Sequence, residues 1–329
     1  MDLRQLRYFI AIVEQGSFSQ AASFLNIAQP ALSLHVRNME RDLGTALLYR
    51  SPKGVAPTEA GEILLRNARI ILNQMTIAEE EIRGHDSDPA GVVRVGLPGT
   101  ISEILSVPLI VAAHRRYPSI QLRLAEAMSG FVAEWLTDAR IDLALVYGQS
   151  EGQNLALLEV LSEELVFFCR RVDAAGLGLP PEGLALPFAR LAEIPLIVPG
   201  QAHGLRILLN EAALARQSRL SVAIEVDSYS NIKELVRAGF GCSILPRNGI
   251  KRELAAGEMQ CWSIEAPQIR RSAFLAHSED RPMTNAVSAV HHLIQDVLRD
   301  LLATGTWAGA TAAEGIVQGS TQGSAAPAR

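Results

Sequence analysis

Residues 16–44 read GSFSQAASFLNIAQPALSLHVRNMERDLG, and the order of their stops and apolar steps decides the N-terminal fold. Gly16 ends a preceding helix whose apolar face is Leu3, Leu6, Phe9, Ile10 and Val13. Ser17-Phe18-Ser19-Gln20 has the spacing of a capping box, so a short helix starts there with Ala21, Ala22 and Leu25 inward. Asn26-Ile27-Ala28 turns the chain, and Gln29-Pro30 opens a third helix with proline where its missing N–H removes no bond. Leu32, Val36, Met39 and Leu43 step by four, three and four and face a core, and Gly44 closes the helix. Leu47 to Pro57, with Ser51-Pro52-Lys53-Gly54 at its tip, predicts a two-stranded wing.

The outward face of the third helix carries Pro30, Ser33, Leu34, Arg37 and Arg41, with Gln29 at its start. A helix entering the DNA major groove needs hydrogen-bonding side chains on its exposed N-terminal half. Gln29, Ser33 and Arg37 meet that need, Pro30 and Leu34 border them, and Arg50 and Lys53 can reach phosphates from the wing. Any one of these residues reads equally as ordinary solvated surface. The ordered set does not.

From Thr58 to about Arg83 there is no proline, and Thr58 is a good N-cap followed by Glu59 and Glu62. Leu64, Ala68, Ile71, Met75, Ala78 and Ile82 alternate steps of four and three, a heptad seam suited to pairing with a second copy of the chain. A core helix of its own domain is the plainer alternative. His85 to Gly91 is polar and rich in helix breakers, which predicts a hinge.

Beyond it, strand-like runs alternate with helices. Val92–Leu97, Ile120–Glu126 and Ile141–Tyr147 flank helices near 102–116 and 130–139. A second series comprises Leu165–Cys169, Leu196–Val198, Val222–Val226 and Cys242–Leu245, with helices near 204–217 and 229–238. Such alternation predicts parallel sheets of βαβ units, and two series imply two lobes around a cleft. The expected division is 1–57 (winged helix-turn-helix), 58–88 (linker helix and hinge) and 91–302 (two-lobed body). Lobe I takes about 91–162 and 267–302, lobe II about 163–266. Residues 303–329 have a Gly/Ala/Thr composition that predicts a disordered tail.

Charge is uneven. The chain of 329 residues has a net charge of −5, yet residues 1–57 carry Arg4, Arg7, Arg37, Arg41, Arg50 and Lys53 against four acids, a net +2. A small basic module on an acidic body permits local phosphate contact without general attraction to nucleic acid. No apolar run reaches the ~18 residues of a membrane span, and the N-terminus lacks the pattern of a secretory signal, so a cytoplasmic protein without membrane contact is expected. Cys169, Cys242 and Cys261 are far apart without a Cys-x-x-Cys, which argues against disulfides and a cysteine-built zinc site. There is no Walker A loop and no His-Glu-x-x-His. Gly239-Phe240-Gly241 fails as a dinucleotide fingerprint because Ile244 holds its last glycine position. The histidines show no ligand spacing. Neither a catalytic residue, a metal nor a cofactor is expected.

The set Leu3-x-x-Leu6-x-x-Phe9, Gly16-Ser17-Phe18-Ser19-x-Ala21-Ala22-x-x-Leu25, Gln29-Pro30-Ala31-Leu32-Ser33, Glu40-x-x-Leu43-Gly44 and Thr58-x-Ala60-Gly61 resembles the N-terminal signature of LysR-type transcriptional regulators. The resemblance continues through Ile141-Asp142-Leu143-Ala144 and Leu235-Val236-x-Ala238-Gly239-x-Gly241 to about residue 302. Asn26-Ile27-Ala28-Gln29-Pro30 and Gly96-Leu97-Pro98-Gly99-Thr100 look most like the nitrogen-assimilation control and cyanate-response branch. The resemblance implies an α/β protein: a winged helix-turn-helix, a long linker helix and an effector domain folded like a type II periplasmic binding protein. It further implies a homodimer, assembled as a dimer of dimers (a homotetramer), that binds and bends double-stranded promoter DNA. Two departures stand out: Ala28 replaces the usual capping Ser or Thr, and Leu34 replaces a polar or basic residue.

In an open α/β lobe, ligands bind outside the carboxyl ends of strands, where helix N–H groups are unpaired. That places a small-molecule effector, a small anion or polar metabolite, at Thr100, Ile101 and Ser102 after the first strand and at Ser129 after the second. Gln201, His203 and Ser228 are expected across the cleft. The family resemblance points to Thr100 and Ser129 as the residues that hold it. Two rivals remain at this point: a constitutive DNA-binding protein without effector, and a solute-binding protein with an incidental helical cap.

Overall fold

The computed structural model describes residues 1–52, 54–83, 88–148, 154–265 and 268–313. The chain opens with α1 (Leu3–Gln15), α2 (Phe18–Leu25) and α3 (Gln29–Leu43), then the wing strands β1 (Leu48–Ser51) and β2 (Gly54–Pro57). The reciprocal capping box is at α1, where Asp2 accepts from the Gln5 N–H at 2.8 Å and Gln5 accepts from the Asp2 N–H at 3.0 Å. Ser17 caps α2 by accepting from the Gln20 N–H at 3.4 Å. Leu6, Phe9, Ile12, Ala21, Leu32, Val36 and Met39 form the core of the three helices. Two expected core residues fall outside it: Leu3 is 36% and Leu43 48% exposed. Each lies in a terminal turn of its helix, and Ile12, which is not among the expected inward residues, is fully buried.

A single long helix follows, α4 (Glu59–Arg83). Thr58 accepts from the Gly61 N–H at 3.1 Å and donates to the Ala46 carbonyl at 2.7 Å, which fixes the helix start against the wing. Any Cβ at Gly61 would overlap the Leu47 carbonyl oxygen, so the glycine is a close-approach requirement. Residues 85–87 of the expected hinge lie outside the described residues.

The body runs β3 (Gly91–Leu97), α5 (Gly99–Arg116), β4 (Ile120–Glu126), α6 (Ser129–Thr137), β5 (Leu143–Tyr147), β6 (Leu155–Arg170), β7 (Leu196–Val198), α7 (Gly204–Leu214) and β8 (Val222–Glu225). It continues with α8 (Tyr229–Arg237), β9 (Ser243–Pro246), α9 (Lys251–Ala255), β10 (Met259–Ser263), β11 (Arg270–Ser278), α10 (Asn285–Ala303) and β12 (Ala310–Ala312). β3 lies parallel between β4 and β5, and β7 is parallel to β8, as the alternation predicts. The sheets are nevertheless mixed. β11 runs antiparallel to β5 and β6, and β6 antiparallel to β9 and β10. The reason is topological: β6 carries the chain from lobe I into lobe II, and β11 brings it back in the opposite sense. Lobe I packs β3, β5 and α5 against α10, whereas lobe II closes around Phe167, Ile197, Leu209, Ile244 and Trp262.

The expectation of a wholly disordered tail is corrected over its first part. α10 ends at Ala303, Trp307 is buried in the lobe I core at 2% exposure, and β12 adds to β6 through Ala310, Thr311 and Ala312 opposite Glu163, Ser162 and Leu161. One tryptophan and a strand edge anchor a segment whose composition is otherwise that of a linker. Residues 314–329 lie outside the described residues.

Candidate nucleic-acid interface and interlobe cleft

α3 presents Gln29, Pro30, Leu34 and Arg37 to solvent, with Ser33 half-buried beside them. Gln29 Nε2 donates to Ser33 Oγ at 3.0 Å, which orders both side chains and leaves the Gln29 carbonyl oxygen free. Ala28, at the N-cap, makes no side-chain cap bond. Pro30 has no N–H, and the Ala31 and Leu32 N–H groups bond the Ala28 carbonyl. The helix start therefore offers a phosphate oxygen the Gln29 N–H and the positive end of its dipole. Leu34 is 53% exposed, an apolar group on an otherwise polar face.

Arg50 departs from its expected role. Its guanidinium pairs with Glu40 at 3.2 Å and lies 5.0 Å over the Phe18 ring, while Glu40 also accepts from the Leu47 N–H at 3.0 Å. The side chain braces the wing against α2 and α3 and is not held out towards a phosphate. Lys53 lies outside the described residues.

The expected seam on α4 divides in two. Leu64 and Ala68 are 9% and 0% exposed because they complete the core of the N-terminal domain. Ile71 and Met75 are 43% and 42% exposed, Ile82 is 86% exposed, and Ala78 is open as well. The helix also touches the body: Asn73 Nδ2 donates to the Pro282 carbonyl at 3.3 Å and Glu80 accepts from the Asn285 N–H at 2.8 Å. Through Arg69, paired with Glu14 at 3.1 Å, it is tied to α1 as well.

Between the lobes lies a cleft of about 890 Å³. Thr100, Ser102, Ser129, His203 and Ser228 line it, as expected. Ile101 does not, since it is fully buried in the lobe I core, one position round α5 from Thr100. Gln201 is exposed and stays outside the lining, which in this loop takes in Ala202, His203 and Gly204. Four helix starts at the cleft differ in how they are capped. His203 Nδ1 accepts from the Leu205 N–H at 3.1 Å and Ser228 Oγ from the Asn231 N–H at 3.3 Å, so α7 and α8 are capped from within. Burial and the nearby Arg271 charge hold the His203 imidazole below its usual pKa, in keeping with its role as acceptor. α5 and α6 have no side-chain cap, and Ser129 Oγ accepts from the Tyr147 N–H at 2.9 Å instead.

The floor of the cleft is a closed ring of hydrogen bonds that sequence reading missed. Arg271 Nε donates to Glu163 Oε1 at 2.7 Å, and Arg271 Nη2 donates to Thr100 Oγ1 at 3.1 Å. The Tyr147 hydroxyl donates to Glu163 Oε1 at 2.8 Å and lies 2.9 Å from Thr100 Oγ1. Burial pushes the Tyr147 phenol well above its usual pKa, so it is neutral and has one proton to give. That proton goes to Glu163, and Thr100 must therefore donate to Tyr147. Arg271 also lies 3.6 Å over the Tyr147 ring. The available signal was a charge inside a strand: Glu163 and Arg271 interrupt β6 and β11 at buried positions. The second cation of the lining, Lys233, is paired with Glu253 at 2.9 Å. One pentapeptide, Gly148 to Gly152, has the Gly-x-Ser-x-Gly spacing, but the next described element is the strand β6 where a nucleophile elbow needs a helix.

Comparison with known proteins agrees with this arrangement. Residues 3–62 match the family model "Bacterial regulatory helix-turn-helix protein, lysR family", and residues 86–299 match "LysR substrate binding domain". The nitrogen assimilation regulatory protein Nac of Escherichia coli is 29% identical over 299 residues, 91% of this chain and 95% of that protein. The transcriptional regulator BudR of Raoultella terrigena is 32% identical over 75% of this chain and 85% of its own. A full-length OxyR variant from Pseudomonas aeruginosa superposes with a TM-score of 0.75 at 22% identity, covering 91% of this chain and 95% of that one. Nac represents here the nitrogen-assimilation branch that Asn26–Pro30 and Gly96–Thr100 resemble. The chain belongs to the LysR family of transcriptional regulators.

Proposed function

We propose that the chain reads promoter DNA through Gln29, Ser33 and Arg37 on α3 and takes a small polar effector between its lobes. The observation that carries the first part is the exposed, uncapped N-terminal half of α3, whose polar face is held in order by the Gln29–Ser33 bond at 3.0 Å. Pro30 and Leu34 border that face, and Leu34 is suited to apolar contact with a thymine methyl. One recognition helix per protomer gives little affinity over nonspecific phosphate contact, so binding is by a homodimer or a dimer of dimers on a site of matching symmetry. Arg37→Ala is expected to weaken the specific site by about 1–3 kcal/mol and to relax base preference at one position. Competition binding against selected and scrambled DNA measures this, and an unchanged specific-to-nonspecific ratio overturns the base-reading role of Arg37.

For the effector, support comes from the uncapped starts of α5 and α6, which open on the cleft beside Thr100 and Ser129. Both cations of the lining are already neutralised, so backbone N–H groups and hydroxyls are left for a small anion or polar metabolite. Ser102, His203 and Ser228 complete the polar wall. A panel of metabolites followed by thermal unfolding tests it, since a ligand at 100 times its dissociation constant adds about 2.7 kcal/mol. Thr100→Val is expected to abolish that gain, to remove the ring bonds to Arg271 and Tyr147 at a cost of about 1–3 kcal/mol, and to spare DNA binding. A Thr100→Val protein with wild-type effector affinity would remove Thr100 from the site. A constitutive regulator is the reading that survives if no metabolite shifts the wild-type protein.

A further inference from the structure

The segment 304–313 lies beyond residues 86–299, where the family match ends, and it touches both lobes. On the lobe I side Trp307 is buried at 2% exposure, and β12 pairs with Leu161–Glu163 of the crossing strand. On the lobe II side the Ala308 N–H donates to Asn248 Oδ1 at 3.2 Å, and Lys251 Nζ donates to the Thr306 carbonyl at 3.0 Å. Gly309 sits at φ +77° with the site of a Cβ 2.9 Å from Arg247 Cβ, so the backbone lies flat on Arg247. Arg247 itself reaches Glu164 on the crossing strand at 3.1 Å. The segment therefore spans the point where the lobes join.

It is also wired to the cleft. The Trp307 indole N–H donates to Glu163 Oε2 at 3.1 Å, while Glu163 Oε1 holds Arg271 and Tyr147. Glu163 is 1% exposed, so its carboxylate has no water to turn towards, and its orientation is fixed by these donors. One oxygen faces the tail and the other faces the cleft floor. We propose that residues 304–313 form a tether across the two lobes, with Trp307 a positioning residue that sets Glu163, and through it Arg271, Tyr147 and Thr100, in the cleft. The inference rests on the two-lobe geometry and not on the identity of the effector.

Hydrogen–deuterium exchange on the full-length protein tests it. Trp307→Phe keeps an aromatic ring in the core while removing the N–H together with three heavy atoms of the indole. Exchange at 98–102 and 143–147, which the tether does not hydrogen-bond, is expected to rise about threefold to tenfold, while α1–α3 stay unchanged. A second variant, Gly309→Ala, keeps the indole and forces the backbone off Arg247. It is expected to speed exchange at 246–251 in lobe II by a similar factor and to leave 98–102 nearer the wild-type rate. A tail that only plugs the core would change α10 and β6 alone. Unchanged exchange at 98–102 and 143–147 in Trp307→Phe overturns the positioning role, and unchanged exchange at 246–251 in Gly309→Ala overturns the tether. DNA binding measured in parallel reports on α3 independently of either result.

Discussion

Glu163→Ala is expected to cost the effector domain about 3–5 kcal/mol, the range for removing one member of a buried ion pair. Glu163 and Arg271 are 1% and 7% exposed, and nothing else in the ring can neutralise the guanidinium. Tyr147 is neutral, and Thr100 offers only a hydroxyl oxygen. The substitution also orphans the Tyr147 hydroxyl and the Trp307 N–H, each within 3.1 Å of the lost carboxylate. For a domain of this size the midpoint of thermal unfolding should fall by about 6–20 °C. Arg66→Ala supplies the contrast. Arg66 and Asp138 are 4.0 Å apart with side chains 43% and 48% exposed, and loss of such a pair changes stability by less than about 1 kcal/mol. Denaturant unfolding of both variants decides the matter: a Glu163→Ala loss below 1 kcal/mol would show that water or a rearranged side chain replaces the carboxylate.

The N-terminal domain was legible because its determinants are local. Glycine stops, a proline start and apolar steps of three and four lie within 60 residues, and each helix touches the next. The errors there are also local in origin. Arg50 looked like a free wing cation because its partner Glu40 lies ten residues back on another element, a pairing that spacing along a helix does not reveal. Lobe strands next to their helices were legible for the same reason. The crossing strands were not: β6 is 16 residues long but is broken in sequence by Glu159, Glu163 and Glu164, and the expected strand covers only residues 165–169 of it. Glu163 and Arg271 are 108 residues apart, so their mutual neutralisation becomes visible only when β6 and β11 pair at Glu163 and Arg271. In the tail, Trp307 is one large apolar side chain among small residues. Composition averages it away, whereas packing does not.

Ile71→Asp is expected to dissociate the homodimer proposed for α4 while leaving each protomer folded. The helix buries Leu64 and Ala68 within the N-terminal domain, so only the exposed stretch Ile71, Met75, Ala78 and Ile82 is available to a second copy. In a two-fold interface each substitution counts twice. A carboxylate facing apolar groups without a partner loses hydration, and the burial of isoleucine is lost with it, at about 2–3 kcal/mol per protomer. The summed effect raises the dissociation constant by about three to four powers of ten. Within the protomer Ile71 is already 43% exposed, so the monomer has little to lose. Ala68→Asp should behave oppositely: Ala68 is fully buried against the helix-turn-helix core, and a charge there unfolds that domain before it affects pairing. Sedimentation velocity with circular dichroism separates the two outcomes. A folded Ile71→Asp protein that remains dimeric at micromolar concentration would assign the interface to another surface, and a folded monomer that also loses operator binding would tie DNA affinity to the presentation of two α3 helices at once.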